Sequence, residues 1–221
     1  MNRLYFFFGL FAGLMPLALA AQLRYQMGFL SGVQYTLLRS DMFTTASGRV
    51  APVVGFAFAV GPRRWWELTQ EVVLTEGGAH AHAVYFRADA PPESHLYTYK
   101  FYSFETALLV GWQPSRDVPL WLQAGGFLGG NFDHLNRRQR ELMIGDYENI
   151  NRATRAVELN DAFSGLDYGL AAGIALGEGR FRANARYYLG VKNLYRYLDF
   201  ATPGPYLRTS ALRCSLAYFL K

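Results

Sequence analysis

The stretch from Arg180 to Asn193, RFRANARYYLGVKN, alternates residue by residue. Phe181, Ala183, Ala185, Tyr187, Leu189 and Val191 fall on one parity, and Arg180, Arg182, Asn184, Arg186, Tyr188, Gly190 and Lys192 on the other. A period of two belongs to an extended strand, whose successive side chains point to opposite faces. All the arginines sit on one face, so the two faces must meet different surroundings. What the chain folds into turns on which face is inside.

The same period recurs in seven other segments. MGFLSGVQYTLL sets Met27, Phe29, Val33, Tyr35 and Leu37 against Gly28, Gly32, Gln34 and Thr36. PVVGFAFAVG sets Val54, Phe56, Phe58 and Val60 against Gly55, Ala57 and Ala59, and WWELTQEVVLTE sets Trp66, Leu68, Val72 and Leu74 against Glu67, Thr69, Glu71 and Thr75. YKFYSFETALLVGW sets Tyr102, Phe104, Leu108, Val110 and Trp112 against Ser103, Glu105, Ala107 and Gly111. LWLQAGGFLGG alternates poorly; Leu120, Leu122, Ala124 and Leu128 are assigned to its greasy face. LDYGLAAGIAL sets Leu166, Tyr168, Leu170, Ile174 and Leu176 against Asp167, Gly169, Ala171 and Gly173, and ALRCSLAYFL sets Leu212, Cys214, Leu216 and Tyr218 against Ala211, Arg213, Ser215 and Ala217.

The connections fall into two alternating classes. Those after the second, fourth and sixth segments are short: Gly61 to Arg64, Gln113 to Pro119 and Gly177 to Gly179. Those after the first, third, fifth and seventh read as long and polar: Arg39 to Val50, Gly77 to Ser94, Asn131 to Ala162 and Leu194 to Tyr206. Short periplasmic turns alternating with longer extracellular loops are the signature of a transmembrane barrel.

The beginning of the chain supports that setting. MNRLYFFFGLFAGLMPLALAAQ has a positive charge at Arg3, an apolar run from Leu4 to Leu19 and small residues at Ala18 and Ala20, which predicts a signal peptide over residues 1–20 and a mature domain over residues 21–221. Beyond it no apolar run reaches the ~18 residues of a helical span. The lone Cys214 excludes a disulfide framework and an N-terminal lipid-modified cysteine. A formal net charge of +5, reduced by one when Arg3 leaves with the leader, is too mild and dispersed for a nucleic-acid partner.

With the greasy faces inward, an exported lipocalin-like barrel would need a cavity lined by Phe56, Phe58, Trp66, Phe104, Leu108, Tyr187 and Leu216. With those faces outward, they form a lipid-facing band around an interior of glycine, alanine and polar residues. The leader, the loop alternation, the glycine-rich face and the aromatics Trp66, Trp112, Trp121 and Tyr218 near segment ends, where interfacial girdles sit, favour the second. The expected fold is all-β, an eight-stranded antiparallel up-and-down transmembrane β-barrel in a bacterial outer membrane.

The segments ELTQEVVLTEGGA, FYSFETALLVGW, LWLQAGGFLGG, LDYGLAAGIAL and RYYLGVKNL, with the ending LAYFLK, resemble in order the PorT-like, or porin-family, group of small outer-membrane β-barrel proteins. The group usually has tyrosine and proline where this chain has Ser103 and Ala107. The resemblance implies eight strands with both termini periplasmic, and a link of one branch to an outer-membrane secretion system.

The inward parity carries Glu71, Glu105 and Asp167 with Arg182, Arg186 and Arg213. Eight strands enclose a space only wide enough for side chains to fill, and charges buried there must be paired, so these residues are expected to form an ionic plug. A selective polar pore is the alternative. No catalytic set emerges: Glu93, Ser94 and His95 match a hydrolase triad by type, but adjacent residues of one strand cannot converge. The chain is therefore expected not to be an enzyme, and a lipid-modifying rim enzyme stands third. His80 and His82 point to one side of an extended segment and read as a polar rim more readily than as two metal ligands, so no metal or cofactor is expected.

Function is expected in the extracellular half. HAHAVYF and HLYTYKF stay β-like beyond the ~9 to 11 residues that a strand needs to cross, so the third and fourth strands should project as a hairpin with Asp89-Ala90-Pro91-Pro92 at its tip. Candidate binding residues there are His80, His82, Tyr97 and Tyr99, beside Tyr85 and Phe86. Arg137, Arg138 and Arg140 in the longest loop are candidates for holding lipopolysaccharide phosphates or a partner. The expected partners are outer-membrane lipid, lipopolysaccharide and another outer-membrane or secretion-system protein. The corresponding role is structural, in assembly or in secretion.

Overall fold

The structure is a computed structural model that describes residues 24–40, 45–61, 65–87, 90–115, 117–133, 143–144, 154–155, 165–177, 179–194 and 206–220. The expected signal peptide lies outside the described residues. The strands are β1 (Arg24–Ser40), β2 (Thr45–Gly61), β3 (Trp66–Arg87), β4 (Ala90–Trp112), β5 (Leu120–Asp133), the two-residue β6 (Met143–Ile144) and β7 (Thr154–Arg155), then β8 (Leu166–Leu176), β9 (Phe181–Gly190) and β10 (Leu207–Leu220). The eight long strands run β2, β1, β10, β9, β8, β5, β4, β3 around a ring that closes by β2 pairing with β3. Every pairing is antiparallel, so the long strands form a closed up-and-down barrel.

Register and parity together decide the faces. Phe29 lies opposite both Phe56 and Tyr218, all on the greasy parity. Phe29 and Phe56 pack outside at 5.3 Å between ring centroids, as Phe181 and Tyr218 do at 5.1 Å. Along β8 the burial alternates almost strictly, with Leu166, Tyr168, Leu170, Ile174 and Leu176 exposed and Asp167, Gly169, Ala171 and Ala175 buried. The apolar faces point outward, as the sequence predicts. Leu170, 61% exposed, would be anomalous in water and is ordinary against lipid.

The interior is greasier than expected. Leu30, Val53 and Val73 form one buried cluster, and Ala107, Leu109, Phe127, Ala171, Tyr188 and Ala211 another. Trp121, expected in an interfacial girdle, is buried on the inward face, with the Arg182 guanidinium 5.6 Å from its ring centroid. Poor alternation in β5 hid this: Trp121 and Phe127 share the inward parity with Gln123 and the small Gly125 and Gly129. A lumen that side chains must fill takes large apolar groups wherever facing glycines leave room.

Two of the expected long loops are largely strand. β1 ends at Ser40 and β2 begins at Thr45, within the stretch assigned to the first loop, and β3 and β4 pair from Trp66↔Trp112 as far as Arg87↔Ala90. The first reads as loop because a ladder above the membrane needs no greasy face; the second is the projecting hairpin that HAHAVYF and HLYTYKF predict. Ala90, Pro91 and Pro92 open β4 at the far end of that hairpin, where the sequence places its tip; Asp89 lies outside the described residues. Much of 131–162, and 195–205, lie outside the described residues.

Candidate functional site: the lumen and the extracellular hairpin

The short turns and the ends near Arg24 and Leu220 define one mouth of the barrel, and the polar side chains of the lumen stack in levels above it. Nearest that mouth, Arg182 on β9 pairs through Nη1 with Glu67 on β3, and Thr69 Oγ1 donates to the same carboxylate oxygen at 3.2 Å. The guanidinium lies between the rings of Trp121 and Phe219, 5.6 and 5.1 Å from their centroids, which supplies cation–π attraction on both sides.

Two repeats of the pleat higher, Arg186 Nη1 meets Glu71 Oε1 at 2.6 Å. Its Nε and Nη2 both donate to Gln123 Oε1, at 2.9 and 2.7 Å, and Nη2 also donates to Asn184 Oδ1 at 3.1 Å. Gly173 makes room for this side chain: a Cβ there would lie 2.7 Å from Arg186 Cγ and 2.2 Å from the Ala185 carbonyl oxygen. Above that, Arg213 on β10 pairs with Glu105 on β4 through Nη2, donates from Nε to Gln34 Oε1 at 2.8 Å, and lies 4.2 Å from the Tyr188 ring centroid.

β9 faces β3, and β10 faces β4, across the full diameter of the ring. The Arg182, Arg186 and Arg213 pairs are thus crossbars through the lumen. Each is buried, and hydrogen bonds to neutral amides or contacts with aromatic faces take up part of the remaining guanidinium, which a charge removed from water requires.

Asp167 departs from the expected plug. It accepts a hydrogen bond from Thr209 Oγ1 at 2.6 Å through Oδ2, with no arginine partner among the described residues. Its Oδ1, with Tyr188 OH, Asn131 Nδ2 and Arg213 Nη1, has no hydrogen-bond partner among the described residues, and all four side chains border a cavity of about 20 Å³ above the Arg213 crossbar. That volume holds about one water, whose hydrogen bonds would satisfy such atoms. A second polar hollow, about 80 Å³, opens at the lower mouth beside Arg24, Gln26, Glu67 and Arg182.

Sequence reasoning placed Glu71, Glu105, Arg182, Arg186 and Arg213 together, and missed Glu67, Gln34 and Gln123 as their partners. Glu67 lies on the inward parity of β3, so the signal was present. The weak period of β5 concealed Gln123.

On the hairpin, His80 Nδ1 and Thr98 Oγ1 are 2.9 Å apart on the outer face, as cross-strand partners. The backbones of His82 and Tyr97 pair with Leu96 and Ala81. Tyr99 is not the surface anchor expected: it is 3% exposed and packs beside Phe101, 6.0 Å between centroids. The reason is parity, since Tyr99 and Phe101 share the inward face of β4 with Ser103 and Ala107. Gly77 admits the Phe101 ring, which a Cβ there would meet at 2.3 Å. Glu93, Ser94 and His95 are consecutive residues of β4. Arg137, Arg138 and Arg140 lie outside the described residues.

This closed barrel of eight long strands, greasy outside and crossbraced by ion pairs within, is that of a bacterial outer-membrane protein. Residues 20–196 match the outer membrane protein beta-barrel domain family, and the chain belongs to it. The protein is accordingly a small β-barrel of the bacterial outer membrane. No curated protein matches the chain. Among solved structures, Neisserial surface protein A is 10% identical over 87% of this chain and 96% of its own, with a TM-score of 0.48. The attachment invasion locus protein Ail of Yersinia pestis is 12% identical over 89% and 99%, with a TM-score of 0.45. The outer membrane protein AlkL is 12% identical over 89% and 91%, with a TM-score of 0.38.

Proposed function

We propose that this protein is a non-enzymatic interaction component of the outer membrane, belonging to the PorT-like group, with a role in assembly or secretion. Its barrel is a closed anchor and its β3–β4 hairpin is the element that meets a partner protein. The observation that carries this reading is the ladder itself. The β4–β5 pairing stops at Phe101↔Asp133, whereas the β3–β4 pairing continues to Arg87↔Ala90. From Ala90 to Thr98, β4 has β3 as its strand neighbour among the described residues. A projecting edge of this kind suits strand addition by a partner chain. Pro91 and Pro92 lack N–H donors and blunt it near the tip, which leaves Glu93 to Thr98 as the segment suited to pairing.

The test is deletion of residues 81–96 in the full chain. Folding of the barrel, read as heat-modifiable migration, should survive, and proteins that co-purify with the intact protein from membranes should be lost. Retention of those proteins would move the binding role to the 131–162 segment.

A narrow channel is the second reading, favoured by the unpartnered polar atoms around the upper cavity. It requires all three crossbars to part. The anchor reading expects little or no conductance from reconstituted protein. A steady ion-selective current abolished by Arg186→Gln or Glu105→Gln would put the channel first.

A further inference from the structure

Charges on the outward face are distributed unevenly. On β10, β1, β2, β3 and β4, five consecutive strands of the ring, the outer surface just above the lipid-facing side chains carries Arg208, Arg39, Arg49, Glu76 and Lys100. Beneath lie Leu37 on β1, Leu74 on β3 and Tyr102 on β4, and one level lower Leu212 on β10. Across the barrel, at the same level, β5 and β8 present Phe132, Leu166 and Tyr168 instead; Lys192, which follows β9 beside β10, lies 5.9 Å from the Tyr168 ring centroid. The cations are thus gathered into an arc on one side, at the height where the outer leaflet's headgroups begin.

Within that arc the charges do not balance. Among the described residues of the arc Glu76 is the acid, and both its oxygens are engaged: Oε2 accepts from Arg49 Nη2 at 2.6 Å, and Oε1 meets Lys100 Nζ at 2.9 Å. Burial pushes its carboxyl up, but the hydrogen bonds and charges of Lys100 and Arg49 outweigh that and hold it below the usual carboxylate range. It has nothing left for Arg39 or Arg208. Those two are exposed, and they are Cα partners in the β1–β10 ladder. Like charges directly opposite on one sheet face destabilise the pair. No described acid pairs with either, and the nearest printed contact is the Arg208 guanidinium 6.0 Å from the Tyr206 ring centroid.

We propose that Arg39 and Arg208 form a docking site for a phosphorylated lipid of the outer leaflet, whose phosphate bridges the two guanidinium groups while its acyl chains lie on the apolar side chains below. Phosphate is the matching chemistry because guanidinium forks donate paired N–H bonds to its oxygens, and because negative headgroups lie at this depth. A bridging dianion turns the repulsion between the arginines into attraction. Arg49 and Lys100 extend the positive field along the arc and suit a second phosphate on the same lipid. This inference uses only the outer-membrane setting of the barrel, and its failure leaves the hairpin reading untouched.

The experiment uses the full chain refolded into phosphatidylcholine vesicles doped with bisphosphorylated lipid A, with lipid retention counted by native mass spectrometry. The intact protein should retain lipid A, and Arg39→Gln with Arg208→Gln should weaken retention by roughly 20-fold, the scale expected for two surface cations. Arg180→Gln, exposed at the opposite mouth of the barrel, should leave it unchanged. Dephosphorylated lipid A should bind the intact protein as weakly as lipid A binds the double variant, and excess inorganic phosphate should not displace the lipid. Equal retention by the double variant, equal retention of the dephosphorylated lipid, an equal loss with Arg180→Gln, or displacement by free phosphate would each overturn the proposal. Heat-modifiable migration reports whether each variant is folded; if the double variant is not, Arg208→Gln alone decides by the same readout.

Discussion

Two sets of arginines stand on opposite faces of the same sheet. Arg182, Arg186 and Arg213 point into the lumen, and each meets a carboxylate on the strand diametrically across. Arg39 and Arg208 point out at the extracellular margin, face each other and meet no described acid. The side chains are the same, so the difference lies in the surroundings. Inside, each guanidinium has lost its water and must be compensated by a charge within the fold. At the margin, water and headgroups supply what the fold does not. An inward arginine is therefore part of the barrel's stability, and an outward one is free to serve a ligand.

The comparison breaks most sharply at the middle crossbar. Arg186→Met should destabilise the folded barrel by about 3 to 5 kcal/mol, because Glu71 is left as an uncompensated buried charge. Adding Glu71→Leu to that variant should recover much of the loss. Urea titrations in detergent or lipid check both, and a double variant less stable than Arg186→Met alone would mean that the crossbar itself, rather than the orphaned charge, carries the stability.

Placing an arginine on the wrong face is the next largest effect. Leu170→Arg puts a charge near the midplane of the lipid-facing band and should cost about 2 to 4 kcal/mol in the same titration. A tolerated substitution would contradict the assignment of faces.

Thr209→Val is smaller. It removes the donor to Asp167 Oδ2 and leaves a carboxylate whose other oxygen already lacks a described partner. The expected loss is about 1 to 3 kcal/mol. Thr209→Ser keeps the hydroxyl and should restore most of it; a serine variant as unstable as the valine one would show that the hydrogen bond is not what matters there.

The smallest effect sharpens the contrast from the other side. Arg39→Gln should change unfolding stability by no more than about 0.5 kcal/mol, the range of an ordinary surface position. A loss on the scale of Arg186→Met would mean that Arg39 is braced within the fold after all.

Much of this was legible in the chain before any coordinates. Period two named the strands, and the segregation of arginine from phenylalanine within them named the faces, since only lipid outside and a narrow lumen inside accommodate both. Where the period faded, legibility went with it. The inward Trp121 and Gln123 sit on the strand whose alternation is poorest. The β1–β2 extension read as loop because no greasy face was needed there, whereas the β3–β4 ladder was legible in HAHAVYF and HLYTYKF. Tyr99 read as a surface aromatic because it lies beyond the membrane crossing, yet it keeps the inward parity of Ser103 and packs beside Phe101.

The sequence by itself determined which side of each strand a residue occupies, because side-chain direction along an extended backbone follows from the count of residues alone. It did not determine who meets whom. Arg182 and Glu67 are 115 residues apart, as are Arg186 and Glu71, and Arg213 and Glu105 are 108 apart. Only ring closure and the stagger between strands bring β9 opposite β3 and β10 opposite β4 at matching heights. The same closure sets Arg39 against Arg208, near opposite ends of the chain, because β1 and β10 become neighbours only when the last strand returns to the first.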